Sequence, residues 1–240
     1  MHRLATRLFS SIRTTAPRLT TTTTTPRLTP ITTRTMATSA STAYLDALKA
    51  RRTIYALNKD LGAVPASRVQ AIASEALQHV PSSFNSQSNR VVVLLGAEHD
   101  KFWDITASIL KAIVPEAAWE ATGSKMAMFK AAAGSILFFE DQTVVEGMQA
   151  KFAAYADRFP VWATQSSGML QHAVWTMLEL EGLGANLQHY NPLVDAKVAE
   201  TWGLPATWKL SAQLVFGGRV AEAGEKTFTP LEDKFKVFGA

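Results

Sequence analysis

The chain of 240 residues is 47% hydrophobic and 18% charged, a composition typical of a globular protein with a sizeable core. It contains no cysteine, which excludes disulfides, cysteine-ligated metals and a cysteine nucleophile. No apolar run reaches the roughly 18 residues that a membrane-spanning helix needs, so no membrane span is expected.

The net charge of +4 is unevenly distributed along the chain. Residues 1–40 hold six of the 24 basic residues and no acidic residue. The other 18 basic residues are therefore accompanied by 20 acidic ones. We expect no basic surface for nucleic acid in the body of the protein.

The first 39 residues have the composition of a targeting segment. They are rich in arginine, serine and threonine, with apolar residues at helical spacing, as in a mitochondrial transit peptide. The threonine run at 20–25 and the prolines after it cannot bury enough apolar surface to fold. We therefore divide the chain into a disordered basic leader and one domain, 40–240, and expect a mitochondrial matrix location. A second translation start at Met36 is the alternative, and it would leave the protein in the cytoplasm or nucleus.

Hydrophobic periodicity predicts a body in which helices outnumber strands. Helices are expected where apolar residues recur every three or four positions, at 41–53, 65–80, 100–114, 143–156, 161–181 and 192–202. Apolar runs between turn signals predict strands at 90–96, 134–141, 185–190 and 211–218. Ser41 or Thr42 is the expected N-cap of the first helix. The tail from residue 225 has aromatic residues but little regular pattern.

Two polar stretches have residue types suited to a phosphorylated, oxygen-rich ligand. "KARRT" (49–53) places three basic side chains beside the hydroxyl of Thr53, and the forked donors of arginine suit a phosphate. "PSSFNSQ" (81–87) places hydroxyl and amide side chains just before a predicted strand. Each stretch alone has a plainer explanation, because basic residues stabilise helix C-termini and small polar residues make turns.

In combination, these stretches resemble the opening of the nitroreductase family. Arg-Arg-Thr (51–53) is followed, about thirty residues later, by Pro-Ser-Ser-x-Asn-x-Gln (81–87) before a strand. "EGLGANLQHYNP" (181–192) is similar to the family's helix–glycine–strand segment, and "KTFTPLED" (226–233) is similar to its C-terminal arm. The resemblance covers residues 41–239. Its last two segments suggest the fungal branch that is tied to the oxidative-stress response.

The resemblance implies a fold, a cofactor and an assembly. The fold is α+β, with a central, mostly antiparallel sheet surrounded by helices, in an intertwined homodimer. The cofactor is flavin mononucleotide (FMN). The implied FMN-binding residues are Arg51, Arg52, Thr53, Ser82, Ser83, Asn85, Gln87, Gln188, His189 and Lys226.

The resemblance also gives these residues roles. Arg51 and Lys226 would contact the phosphate, while Arg52 and Thr53 would reach the ribityl chain or the ring edge. The serines and the asparagine of the 81–87 loop would come from the partner subunit. The 188–189 backbone would lie against the flavin ring. Ser88-Asn89, His189 and Phe228 depart from the family's common pattern, which has Pro-Trp, glutamate and arginine at these positions.

The implied activity is that of an FMN-dependent oxidoreductase. It would take electrons from NADH or NADPH and reduce nitroaromatic compounds, quinones or similar acceptors, with the flavin carrying the chemistry. His189 is a candidate general acid, although a histidine beside a strand is also explained by packing. Tyr155 and Trp162 either form a wall of a substrate pocket or pack a helix–helix contact. No metal site is expected. The alternative function is that of a flavin-binding regulatory protein in lipid or stress signalling, with slow turnover.

A chain that starts at Met36 should bind FMN as tightly as the full chain, because fold and site are both assigned to the body. Residues 1–35 fused to a fluorescent reporter should direct it to mitochondria, since import recognises an Arg-rich amphipathic segment. FMN titration and microscopy measure the two effects. A cytosolic reporter would contradict the targeting prediction, and a Met36 form without flavin would contradict the division of the chain.

Overall fold

The computed structural model describes residues 36–239, with side chains from residue 40 onward. Over this range there are seven α-helices and five β-strands. The helices are α1 (Met36–Ala50), α2 (Ala66–His79), α3 (Ala97–Ile113), α4 (Glu116–Lys130), α5 (Gln142–Lys151), α6 (Phe159–Leu180) and α7 (Asp195–Trp202). The strands are β1 (Leu57–Asn58), β2 (Asn89–Leu95), β3 (Gly134–Asp141), β4 (Gly184–Gln188) and β5 (Trp208–Arg219). Ser83–Asn85 and Ala153–Arg158 form short 3-10 helices.

The five strands form one sheet in which every strand pair is antiparallel. β5 is the organising strand, because it pairs with β1, β3 and β4, while β2 extends the sheet from β3. The β3–β5 register shifts between Phe138 and Phe139, which leaves Ser211 as the extra residue of a bulge. A bulge redirects a side chain, and Ser211 Oγ here lies 3.0 Å from Ser167 Oγ on α6.

The core lies on both faces of the sheet. Successive apolar residues of β3 point to opposite faces, so each face has apolar side chains to bury. Ile136 and Phe138 pack with residues of α2 and α6. Leu137 and Phe139 pack on the opposite face with residues of α3, α4 and α7. Each such buried side chain contributes about 1.5–3 kcal/mol. The sheet is therefore covered by helices on both sides, as expected for the α+β arrangement.

Most predicted elements are present, with boundaries that differ by a few residues. The predicted N-cap was wrong: Ser41 and Thr42 lie inside α1, which already begins at Met36. The predicted helix at 143–156 ends at Lys151, and a 3-10 helix follows. α4 was not predicted, because its alanines and Gly123 give its sequence little apolar contrast; packing of Met126 and Phe129 into the core holds it in place.

The leader predicted for residues 1–39 lies mostly outside the described residues. Among the helices that the structure describes, none combines the length and apolar character required to cross a bilayer. From Glu225 to Gly239 every residue is exposed, in agreement with the expected irregular tail.

Candidate functional site

Residues 51–55 are anchored between the sheet and α6. Thr53 forms a parallel bridge with Ala185 of β4, and the Ile54 N–H donates to the Ala185 carbonyl at 3.0 Å. The Asn186 side-chain amide donates to the Ile54 carbonyl at 2.9 Å. Ile54 itself is buried in the core. Since neighbouring side chains of an extended segment point to opposite sides, Arg51, Thr53 and Tyr55 face away from the core.

Arg51 and Thr53 line a cleft of about 340 Å³. The rest of its lining comes from α6 and β4: Gly168, Gln171, His172, Trp175 and Leu187. The Arg51 guanidinium lies 4.4 Å from the centre of the Trp175 ring, a cation–π contact that fixes the charge at the cleft. Arg51 and Thr53, which the sequence predicts to serve one ligand, therefore line the same cleft.

The cleft offers hydrogen-bond donors in excess. Trp175 Nε1 is buried and has no hydrogen-bond partner among the residues that the structure describes. Burial and the neighbouring Arg51 charge lower the pKa of His172, so its ring is neutral at neutral pH and still carries one N–H. The cation, the hydroxyl and the neutral imidazole that line the cleft together suit an anionic, oxygen-rich group.

Tyr55 begins a second cleft, of about 510 Å³. Its other lining residues are Lys125, Met128, Phe129, Gln188 and Tyr190. The predicted residue Gln188 donates to Asn186 Oδ1 at 2.8 Å, and the Tyr190 N–H donates to Gln213 Oε1 at 2.8 Å. The other predicted residue, His189, is exposed just beyond the end of β4. This cleft is apolar and aromatic with polar edges, as planar ring systems require.

Sequence reasoning missed Tyr55, Lys125, His172 and Trp175. The only sequence signal for Tyr55 was its spacing on an extended segment, because it lies two residues after Thr53 and four residues after Arg51. Lys125 comes from α4, which was itself not predicted. Nothing in the sequence connects the α6 residues to Arg51.

The 81–87 loop has a constrained backbone. Phe84, Asn85 and Gln87 have φ values of 56°, 51° and 53°, in the left-handed region. For a bulky residue such as Phe84 this costs about 1–2 kcal/mol. Ser82 offsets part of the cost, because its Oγ accepts from the Gln87 N–H at 2.9 Å and its carbonyl from the Asn85 N–H at 2.9 Å. Strain of this kind is characteristic of functional loops.

Ser166 of α6 ties both ends of this loop to the body. Its hydroxyl donates to the Pro81 carbonyl at 2.9 Å and accepts from the Asn89 side-chain amide at 2.9 Å. Ser166 and Asn89 are both buried. Asn89, one of the positions that depart from the family pattern, therefore has a structural role in holding the loop.

Phe84 joins the two predicted pocket residues in an aromatic cluster. Its ring centre lies 6.3 Å from that of Tyr155 and 6.0 Å from that of Trp162. Phe152 and Phe159 complete the cluster at 4.7 and 5.7 Å. Phe84 and Tyr155 remain 55% and 50% exposed, so the cluster both packs the α5–α6 connection and presents an aromatic surface.

Within one chain, the predicted residues do not converge on one cleft. Ser82 and Gln87 line a third depression of about 300 Å³, together with residues of α2 and β2, and Arg51 is not part of it. The role of this loop in the site of a partner subunit stays a prediction.

Arg52 and Lys226 are placed differently from Arg51. The Arg52 guanidinium donates to the carbonyl of Gly224, at the start of the tail. Lys226 is exposed, with its ammonium 5.1 Å from the Phe228 ring centre. Direct contact of either residue with a cofactor stays a prediction. Among the described residues, no group of three or more histidine, aspartate or glutamate side chains is arranged to hold a metal.

The sheet with helices on both faces and the basic and aromatic clefts along one edge define an α+β protein of the nitroreductase type. The family model for nitroreductases matches residues 48–218. The chain belongs to the nitroreductase family and is by that membership an oxidoreductase.

Relatives in yeast and bacteria match over most of the chain. The Saccharomyces cerevisiae protein HBN1 is 41% identical over 201 residues, which is 83% of this chain and 99% of that protein. The nitroreductase FRM2 of the same yeast is 40% identical over 186 residues, or 77% of this chain and 92% of that protein. The solved nitroreductase CinD from Lactococcus lactis, in complex with nicotinic acid, is 51% identical with a TM-score of 0.76, covering 81% of this chain and 99% of CinD.

Replacing Ser166 with alanine should loosen the 81–87 loop, because it removes the acceptor of a buried amide and a donor to Pro81. Such a loss costs about 1–3 kcal/mol of unfolding free energy. Denaturant unfolding and hydrogen exchange of the 82–89 amides measure the effect. Ser124→Ala, at an exposed serine of α4, is the control and should change neither. Equal exchange in both variants would contradict the anchoring role.

Proposed function

We propose that the protein is an FMN-dependent oxidoreductase that takes electrons from NADH or NADPH and reduces nitroaromatic compounds, quinones or related acceptors. The observation that carries the proposal is the shared wall of the two clefts. Arg51 and Thr53 line the first cleft, and Tyr55 lines the second. On β4, Leu187 lines the first cleft and Gln188 lines the second. A cationic cleft and an aromatic cleft thus border the same two chain segments, which suits a ligand with a phosphate joined to a planar ring.

The residues present fit FMN chemically. Arg51 and Thr53 would hold the phosphate and neighbouring hydroxyls. Tyr55, Tyr190 and the stem of Met128 would enclose the ring. Each cleft falls within the usual volume range of small-molecule sites, roughly 300–1,000 Å³.

When bound, FMN supplies the hydride and electron transfers. The chain's own contribution is to bind, orient and shield. Lys125 brings a positive charge to the cleft that Gln188 also lines, and would stabilise negative charge on a bound ring. Tyr190 is half-buried, and burial and the neighbouring Tyr55 raise its pKa, so its hydroxyl keeps its proton and remains a donor at neutral pH.

The proposed acceptors are supported by the solved relative. CinD has been crystallised with 4-nitrophenol and with chloramphenicol, at 49% and 48% identity to this chain and a TM-score of 0.74 in each case. Aromatic surfaces of the Phe84 cluster suit such planar compounds. A role in oxidative stress and a mitochondrial location stay predictions from the sequence.

We also propose that the protein is a homodimer in which each site uses both subunits. The exposed apolar side chains are numerous and concentrate on α1, α6 and the tail: Tyr44, Leu45, Val161, Met169, Leu180, Phe228, Leu231, Phe235 and Phe238. Such exposed apolar side chains would lose contact with water if a second copy covered them. A second copy is the occupant that also explains why the 81–87 loop and Arg51 lie in different clefts of one chain.

The full-length protein should bind FMN, and NADH or NADPH should bleach its visible absorbance under anaerobic conditions; a nitroaromatic compound or quinone should then restore it. Arg51→Ala removes a charge-assisted contact of about 1.5–3 kcal/mol, so FMN affinity should fall about ten- to a hundredfold. Arg158→Ala, at an exposed arginine, should leave it unchanged. Flavin that no nicotinamide nucleotide reduces would instead favour the regulatory alternative.

A mixed dimer tests the shared site. Arg51→Ala and Asn85→Ala chains, carrying different tags, are co-expressed and the heterodimer is isolated. If each site combines Arg51 of one subunit with Asn85 of the other, one of its two sites is intact and binds FMN with wild-type affinity. Neither homodimer of the variants should do so. A heterodimer as weak as the homodimers would contradict sharing across the interface.

A further inference from the structure

We propose that Gln213 of β5 is a positioning residue for the second cleft, which it shapes by fixing the main chain at Tyr190. Tyr190 and Gln188 both line that cleft, whereas Gln213 lines neither of the two clefts. Gln213 therefore acts through the segment that follows β4. The inference rests on the proposed function only for the identity of the ligand, FMN.

Gln213 is a polar residue at a core position of the sheet. It is fully buried, and its cross-strand neighbours are Leu137 of β3 and Gln188 of β4. Leu137 and Val215, the latter two residues further along β5, belong to the core on the side of α3 and α4. Gln213 faces the same side, because alternate residues of a strand share a face. A buried amide side chain destabilises the fold unless its donor and acceptor are both bound.

Both ends of the Gln213 amide bind the segment that follows β4. Its Oε1 accepts from the Tyr190 N–H at 2.8 Å, and its Nε2 donates to Asn191 Oδ1 at 3.2 Å. β4 ends at Gln188, where its ladder with β5 also ends. The Gln213 side chain therefore continues the attachment to β5 beyond the end of the strand.

The Tyr190 ring is held by two aromatic neighbours. It lies edge-on to Trp103 and to Phe129, with ring centres 5.6 and 6.3 Å away. Trp103 is itself fixed, because its Nε1 donates to Ser135 Oγ at 3.1 Å in the core. With its main chain bound by Gln213 and its ring packed between these neighbours, the Tyr190 side chain is held at the cleft.

A second buried amide holds the other segment that lines this cleft. Asn186 of β4 donates to the Ile54 carbonyl at 2.9 Å and accepts from Gln188 Nε2 at 2.8 Å. It thus ties the segment that carries Tyr55 to β4. A buried polar network whose members are all hydrogen-bonded makes its surroundings rigid. The two amides together therefore fix the position of Tyr55 relative to Tyr190.

A cleft that already has its bound shape loses little conformational entropy when a ligand enters. Without the Gln213 amide, the Tyr190 N–H would have no partner and the main chain after β4 would be free to move. Ordering this segment again would then oppose binding. Gln213 therefore strengthens FMN binding only while the Tyr190 ring is present to be positioned.

A double-mutant cycle tests this role. FMN affinity is measured by fluorescence titration for the full chain and for Gln213→Leu, Tyr190→Ala and both together; leucine is similar in size to glutamine and removes both hydrogen bonds. Gln213→Leu alone should weaken FMN binding about tenfold. In the Tyr190→Ala background, the same change should weaken it by less than about twofold. An equal loss in both backgrounds would overturn the positioning role.

A control variant separates positioning from a general loss of stability. Ile136→Val shortens a buried side chain of β3 that packs with α2 and α6, on the opposite face of the sheet. It lowers stability without a change at the cleft, so FMN affinity should stay within about twofold of the wild type. A loss as large as that of Gln213→Leu would overturn the proposal, and so would wild-type FMN affinity in Gln213→Leu.

Hydrogen exchange supplies a measurement that does not need FMN. Followed by NMR in the flavin-free full chain, the Tyr190 amide should exchange about tenfold faster in Gln213→Leu than in the wild type. An unchanged rate would overturn the restraint of this segment by Gln213. A wild-type chain without FMN affinity would overturn the proposed function and with it the role of Gln213 in FMN binding, while the exchange rates would still show whether Gln213 holds Tyr190.

Discussion

The fixation of Ile54 is the constraint on which the site depends. Its N–H is bound by Ala185, its carbonyl by Asn186, and its side chain by the core. With three attachments, this residue cannot rotate without breaking a buried hydrogen bond or opening a cavity. The directions of the neighbouring residues are thereby fixed. Arg51, Thr53 and Tyr55 face the clefts, whereas Arg52 contacts Glu179 through its N–H and Gly224 through its guanidinium.

Helix α6 is the common support of otherwise separate parts. Ser166 donates a hydrogen bond to the polar loop, and the Trp175 ring contacts the Arg51 guanidinium. Glu179, near the end of the helix, accepts a hydrogen bond from the Arg52 N–H. The bulge residue Ser211 connects the same helix to β5 through Ser167. Because a 22-residue helix is stiff, the spacing between these contacts is fixed. A change in the packing of α6 would move the loop and the Arg51 cleft together.

Each of the two clefts has one basic side chain. Arg51 lines the first cleft beside a neutral His172, and Lys125 lines the second among aromatic side chains. Glu179 accepts from Arg219 and from the Arg52 backbone N–H, and Arg51 adds to the positive charge that favours its carboxylate.

The sequence by itself determined the strands and the main helices, because β2, β3 and β5 are continuous apolar runs and α2 and α6 have clear periodicity. It also gave the family, since Arg51–Thr53 and the 81–87 loop match a family pattern at the right spacing, and the family model matches residues 48–218. It did not reveal α4, whose alanine-rich sequence lacks contrast, or the α1 start at Met36. Only the tertiary structure decided that Trp175 meets Arg51 and that Tyr55 and Lys125 line a cleft with Gln188. It also decided that Arg52 points to Gly224. Such contacts join elements far apart in the chain, and their geometry depends on how helices pack on the sheet, which local propensity and spacing do not specify.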